Sequence, residues 1–180
     1  MVEVVAYDPR WAEGFEGLRA VIGPAVAEIG ASVEHVGSTS VVGLAAKPII
    51  DVDVVVQRIE GVGRAVAILE GLGYRHLGDQ GVPEREAFEA LSGSGEAEVK
   101  HHLYVVVSGS KPHRDHVDLR DYLRGRPERE AEYARLKADL GARYLPHDRV
   151  GYTDAKGPWI ARALAEARGE LGTRASGSAL

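Results

Sequence analysis

The chain has no cysteine among its 180 residues. That excludes structural disulfides, thiolate metal sites and a cysteine nucleophile, and it leaves the redox compartment undetermined by this criterion. No stretch approaches the ~18 uninterrupted apolar residues of a membrane span. The start, with Glu3, Asp8 and Arg10, also lacks the pattern of a secretory signal. The expectation is a cytoplasmic protein with no membrane partner. A basic excess is missing too: 22 Lys and Arg stand against 27 Asp and Glu, for a net charge of −5. This argues against broad nucleic-acid binding, which rests on a basic surface, while leaving room for a local basic pocket. There is no internal repeat. What remains is ordinary for a globular protein, with 44% hydrophobic and 27% charged residues. The expectation is one domain over residues 1–168 and a loose Gly- and Ser-bearing tail over 169–180.

The most informative stretch runs from His35-Val36-Gly37-Ser38-Thr39-Ser40 to Lys47-Pro48-Ile49-Ile50-Asp51-Val52-Asp53-Val54-Val55-Val56. Residues 49–56 are β-branched apart from two aspartates, so they read as a buried strand whose alternate side chains share a face. Asp51 and Asp53 therefore point the same way. Carboxylates ~6–7 Å apart along a strand repel by about 2–3 kcal/mol at an effective dielectric near 20. A divalent cation would turn that repulsion into coordination, because Mg²⁺ takes one or two carboxylates and leaves its other positions to water and phosphate. The plainer alternative is a strand end with hydrated or arginine-paired carboxylates. Upstream, Gly37 permits close backbone approach, and Ser38, Thr39 and Ser40 offer hydroxyls and amides to a phosphate. A Ser/Thr helix cap would account for the same residues. Lys47, just ahead of the strand, is placed to meet Asp51 or a polyphosphate.

Periodicity supplies the frame. After a short opening strand, Trp11, Phe15, Leu18 and Ile22 mark an amphipathic helix, and residues 32–36 a brief strand. Val62, Val66, Leu69 and Leu72 mark a second helix, ended by Gly71 and Gly73 and followed by a strand over 74–77. Residues 78–97, rich in Gly, Ser and Glu with Pro83, read as a loop or hairpin, and 99–107 as the second strong strand. The last third is helical: 118–124, then a helix opened by Pro127 with Tyr133, Leu136, Leu140 and Tyr144 at helical spacing, then one carrying Trp159, Ala163 and Ala167. The class is α+β, a small mixed sheet with flanking helices and a C-terminal helical layer closing on the carboxylate edge. His113 and His116, around Asp115, read as part of a solvated loop.

The segment from Glu34-His35-Val36-Gly37-Ser38-Thr39-Ser40 through Leu44 to Lys47-Pro48-Ile49-Ile50-Asp51-Val52-Asp53 resembles the signature of the GrpB-like family, which is also found fused to dephospho-coenzyme A kinases. Tyr7-Asp8-Pro9-Arg10-Trp11, Gly81-Val82-Pro83 with Arg85 and Phe88, His101-His102-Leu103, Arg120-Asp121-Tyr122-Leu123-Arg124 and Tyr152-Thr153-Asp154-Ala155-Lys156 match it in order, so the resemblance spans residues 2–168. It departs at Val42, where many relatives have proline, and at Tyr104, where they commonly have histidine. The resemblance implies a nucleotidyltransferase fold and transfer of a nucleotidyl group from a nucleoside triphosphate to a small-molecule acceptor, with Mg²⁺, or Mn²⁺ in its place, as the cofactor.

On that reading Asp51 and Asp53 are catalytic and hold the metal, and Gly37, Ser38, Thr39 and Lys47 hold phosphate. Arg120 and Lys156 reach the triphosphate from the helical layer. Nucleotidyltransferases complete the site with a third carboxylate from a neighbouring strand, and residues 99–107 have no central acid. His102 is the preferred occupant, since a neutral imidazole accepts a proton near pH 7. The alternative is a non-catalytic nucleotide or metabolite binder related to coenzyme A metabolism, favoured by that missing carboxylate.

Overall fold

The computed structural model describes residues 4–91, 99–145 and 147–175, with the side chains of residue 149 and of residues 170–175 left out of the description. Five strands form one mixed sheet: β1 (Ser32–Val36), β2 (Ile50–Val56), β3 (Tyr74–Gly78), β4 (Arg85–Ala90) and β5 (His101–Val107), in the order β1-β2-β5-β4-β3. Only β2 and β5 run parallel; the other neighbours are antiparallel. The expected hairpin within 78–97 is β3–β4, whereas residues 92–98 lie outside the described residues. The opening strand is reduced to a single bridge between Val5 and Ala46.

The period of two along each strand divides the sheet into two chemical faces. Ile50, Val52, Val54 and Val56 of β2 and Leu103 and Val105 of β5 pack with Phe15, Ile22 and Val26 of α1 (Arg10–Ala27) and with Ala65 and Leu69 of α2 (Val62–Gly71). Each such fully buried side chain contributes about 1.5–3 kcal/mol. The other face carries Asp51 and Asp53, level with Val36 and Glu34 on β1 and with His102 and Tyr104 on β5. Shifting β2 by one residue would drive two carboxylates into the apolar core, so the register is tightly specified.

Three helices form the layer over the polar face: α3 (Lys111–Arg124), α4 (Pro127–Tyr144) and α5 (Arg149–Ala175). They share a second apolar cluster of Val41, Leu44, Tyr122, Leu123, Tyr133, Trp159, Ala163 and Ala167. Arg124 ties the layer to the turn after β1 by donating to the Ser40 carbonyl at 2.7 Å. The α3 helix begins at Lys111, seven residues before the start that apolar spacing suggests. Its start is set by Ser110, whose Oγ accepts from the His113 N–H, and by Pro112 in the first turn. His113 and His116 therefore sit on a helix and not in a solvated loop. At the other end α5 runs past Gly169 to Ala175, and residues 176–180 lie outside the described residues. No helix among the described residues is long and apolar enough to cross a membrane.

Candidate active site

Each aspartate of β2 is met by a histidine. His102 on β5 lies level with Asp51, and its Nδ1 stands 2.9 Å from Asp51 Oδ1. His116 on α3 reaches down so that its Nδ1 stands 2.8 Å from Asp53 Oδ2. Asp53 is 0% exposed. Burial works against a charge on His116, but the hydrogen bond to Asp53 and the charges of Asp53 and Asp51 outweigh it, and its pKa rises above 6.5. The repulsion expected of two same-face carboxylates is thus offset within the protein by imidazole partners, a pairing that neither the hydrated nor the arginine-bound alternative anticipates. Each histidine engages one oxygen of its carboxylate. Asp53 Oδ1 is buried without a hydrogen-bond partner.

Tyr104 of β5 stands level with Asp53. Its ring lies 6.0 Å from that of His116 and 6.3 Å from that of His102. Burial foremost, with the Asp51 charge adding to it, pushes its phenol up to about 12. Tyr104 is therefore a neutral hydroxyl at working pH. His102 stands beside Asp51 and not beside Asp53.

Gly37 shows why the turn needs glycine. Its φ is 68°, in the left-handed region, and a Cβ there would collide with the Asp51 carboxylate. The following residues, Ser38–Ser40, form a single 3₁₀ turn. Ser40 donates to the Gly37 carbonyl at 2.6 Å, and Thr39, buried, lies 3.0 Å from His35 Nε2. His35 stacks on Phe15, and burial, then the Arg124 charge, lowers its pKa to about 4. Thr39 therefore faces inward and its hydroxyl is committed to a neutral imidazole. Ser38 is the hydroxyl of the turn on the site side, bonded to Tyr133 of α4.

Opposite the carboxylates stand three lysines. Lys47 and Lys156 lie over the ring of Tyr152, at 4.8 and 4.6 Å from its centre, and Lys137 lies 4.7 Å over the ring of Tyr133. Tyr133 in turn stacks on Trp159 with centres 4.4 Å apart. Lys137 is only 2% exposed, and its Nζ has no hydrogen-bond partner. Burial first, then the charge of Lys156, lowers its pKa to about 7, with Glu130 opposing. Lys156 is lowered to about 8 by burial and by Lys47, against the pull of Asp51. A buried ammonium with an unsatisfied donor set is costly, and an anion between these lysines would satisfy it.

Gly37, Ser38, Lys47, Asp51, Asp53, His102 and Lys156 thus meet on one face. Arg120 does not join the lysines. Its guanidinium bonds Glu34 and the His35 carbonyl at 3.2 Å each and Asp121 at 2.8 Å, which braces α3 against β1. Reading the sequence missed His116, Tyr133 and Lys137. For His116 the available signal was the Ser110–Pro112 helix start; for Lys137 it was a lysine placed one helical repeat after Tyr133 on the stripe that Leu140 continues.

The face can be weighed as a hard-cation site. Its donors are carboxylate oxygens, and the buried, unpartnered Asp53 Oδ1 is an acceptor that a cation would satisfy, so the residues fit Mg²⁺ held by Asp51 and Asp53. Among the described residues no cluster of three or more His, Asp or Glu is disposed to hold a metal, so water and phosphate oxygens would supply the rest.

Residues 1–166 match the GrpB protein family, and the chain belongs to it. It is 34% identical over 171 residues to UPF0157 protein YqkA of Bacillus subtilis, covering 93% of this chain and 47% of that protein. It is 36% identical to UPF0157 protein PA4798 of Pseudomonas aeruginosa, covering 92% of this chain and 67% of that one. The chain thus spans about half the length of YqkA. Among solved structures, the conserved protein GrpB from Enterococcus faecalis superposes with a TM-score of 0.78 at 32% identity, covering 93% of this chain and 98% of that one. A likeness to the Cid1 poly(U) polymerase bound to MgGTP, at TM-score 0.48 and 13% identity over 86% of this chain and 50% of that one, is too loose to bear on function.

Proposed function

We propose that this chain binds a nucleoside triphosphate together with Mg²⁺ and transfers the nucleotidyl group to a small acceptor. The observation that carries the reading is the buried, unpartnered Lys137 amine beside Lys47 and Lys156, set across from two same-face carboxylates. Lys137 and Lys156, lowered in pKa by burial and by a neighbouring ammonium, would be stabilised as cations by a polyanion, and a cation carried by it would satisfy the unpartnered oxygen of Asp53. Lys47, Lys137 and Lys156 hold the outer phosphates, and Ser38 with the Gly37 backbone holds the phosphate nearest the turn. Asp51 and Asp53 each keep one oxygen for the cation, which when bound neutralises phosphate charge as it develops.

The acceptor oxygen attacks the α-phosphorus, the bond to the bridging α–β oxygen breaks, and pyrophosphate leaves. The acceptor proton passes to Nε2 of His102, whose Nδ1 is oriented by Asp51, an arrangement suited to general-base work. Calorimetry with ATP, GTP, CTP and UTP, in Mg²⁺, Mn²⁺ or EDTA, tests the binding step. We expect at least one triphosphate to bind in either metal and none in EDTA. Equal binding in EDTA, or no binding to any of the four with metal, would refute it.

A second reading, a nucleotide binder without transfer, is favoured by Tyr104 standing level with Asp53 where no carboxylate is found. Pyrophosphate release from the bound triphosphate, assayed across pools of hydroxyl, amine and phosphate acceptors, separates the two.

A further inference from the structure

The polar face of the sheet does not end at β5. Ala87 on β4 lies level with Tyr104, and Arg85 lies level with Val106, so Arg85 rises from the same face as Asp51, Asp53, His102 and Tyr104. Further out, Arg75 of β3 pairs with Glu89 of β4, both well exposed. The helical layer packs over β1 and β5, and the β4–β3 end of the face is open to solvent.

Arg85 differs from the arginines around it. Arg75, Arg120, Arg129, Arg162 and Arg168 each bond a carboxylate. Arg85 makes no ion pair among the described residues: its guanidinium lies over the Tyr104 ring, 4.6 Å from its centre, and its Nε is buried without a hydrogen-bond partner. Its near neighbour Glu86 faces the opposite side of the sheet, where it bonds His76 at 2.7 Å. The backbone that delivers Arg85 is held in an uncommon conformation, with Gln80 at φ 52° and Glu84 at φ 64°. Non-glycine residues in the left-handed region cost free energy and concentrate at functional sites. A half-buried, unpaired guanidinium held over an aromatic ring offers its planar fork of N–H donors to an anion.

We propose that the β4 end of this face is the acceptor subsite, in which Arg85 grips a phosphate-monoester or carboxylate group of the acceptor while its nucleophile lies at His102. This rests on the transfer reading above and deepens it, because it names the acceptor class: a small anionic metabolite. The Gly37 turn follows β1 and lies against Asp51 of β2, whereas Arg85 rises from β4, so on this proposal the two substrates enter from opposite flanks of the carboxylates. The Arg85 guanidinium lies over Tyr104, which stands level with Asp53 on the neighbouring strand, so an acceptor held by Arg85 reaches the carboxylates across the Tyr104 ring.

The test uses the full chain labelled with ¹⁵N. A buried Arg Nε–H exchanges slowly and gives its own NMR signal, which the loss of that signal in Arg85→Lys identifies. Inorganic phosphate and, separately, acetate are titrated in, first with Mg²⁺ and a saturating non-hydrolysable ATP analogue, then with neither. We expect the Arg85 signal to shift saturably with at least one anion in both conditions. Arg85→Gln should weaken that anion, followed through backbone signals near Tyr104, at least tenfold, with triphosphate affinity kept within twofold. Response to phosphate alone assigns a phosphate-bearing acceptor; response to acetate alone assigns a carboxylate. An Arg85 signal that moves with neither anion, or anion binding undiminished in Arg85→Gln and in Arg85→Lys, overturns the proposal. If the triphosphate analogue fails to bind while the Arg85 signal still titrates, the transfer reading falls and the anion site stands. If the analogue binds and Arg85 stays silent, only the acceptor subsite falls.

Discussion

Replacing Lys137 by methionine keeps the aliphatic stem and removes the buried charge, which should stabilise the free protein and diminish its gain from ligand. In the free protein, burial and Lys156 bring the Lys137 pKa from 10.5 to about 7. At 1.36 kcal/mol per tenfold change, that is about 4–5 kcal/mol against the charged form, and contact with the Tyr133 ring returns roughly 1–2. Lys137→Met should therefore stabilise the ligand-free protein at pH 6 by about 2–4 kcal/mol, or roughly 5–15 °C in a chain of this size. The sign of the pH dependence follows from a folded-state pKa that is depressed for a cationic group. Below about pH 7 both states bind the proton and the penalty is complete. Between pH 7 and 10.5 the unfolded chain binds more protons, so wild-type stability rises with pH. The advantage of Lys137→Met should shrink by about 2–3 kcal/mol from pH 6 to pH 9. With Mg²⁺ and triphosphate the gap narrows: wild type should gain about 2.7 kcal/mol at a hundredfold excess over its Kd, and the variant little. Thermal or urea unfolding at the two pH values, with and without ligand, measures all four quantities. A variant less stable than wild type when free, yet with an undiminished ligand shift, would show that Lys137 is a structural residue and not part of a phosphate site.

Lys156→Ala should weaken triphosphate binding by roughly 1.5–3 kcal/mol, the range for hydrogen bonds to charged groups, and monophosphate binding much less; calorimetry showing equal losses would place the lysine away from the outer phosphates. The Asp53–His116 pair gives a second pH signature: His116 is raised in the fold against burial by Asp53, so the pair's contribution is fully present below pH 6.5 and is lost as pH climbs through the folded value. Asp53→Asn should cost about 1.5–3 kcal/mol near pH 6 and less at pH 9, and a cost that grows with pH in urea denaturation would refute the pairing.

Sequence reading succeeded where a local period carries the information. The alternation in residues 50–56 assigns Asp51 and Asp53 to one face, and the strand register bears that out at both neighbours. Gly37 is legible because a left-handed turn and a close approach both demand glycine. Partners were not legible. Asp53 and His116 are 63 residues apart, and Asp51 and His102 are 51 apart. Nothing local tells a histidine which carboxylate it will meet. For His116 the error was compounded by the polar run from Lys111 to Asp118, whose weak apolar spacing masks a helix that its cap announces. Arg120 failed in the opposite direction: it lies on the expected helix, but Glu34 and Asp121 had already satisfied its charge. A long flexible cation can be placed on an element by its spacing, whereas its partner is decided by whichever carboxylate the tertiary fold brings nearest.

The absence of a third carboxylate takes on a different meaning once the histidines are in place. On the polar face, β5 contributes His102 and Tyr104, and α3 contributes His116. Each aspartate thus has a neutral or protonated imidazole as its companion and not another anion. A third carboxylate beside Asp53, at 0% exposure, would add a like charge in a buried setting, where it raises pKa values and favours protonation over metal binding. Imidazoles lower the net negative charge of the face, which weakens its hold on a free divalent cation and makes cation binding depend on the phosphates that arrive with it. Lys137 and Lys156 act in the same sense from the other side, since burial and a neighbouring ammonium lower the pKa of each. Neither half of the face is completed by the metal alone or by the nucleotide alone. On the proposed function, this charge distribution favours the metal–triphosphate complex as the species that binds.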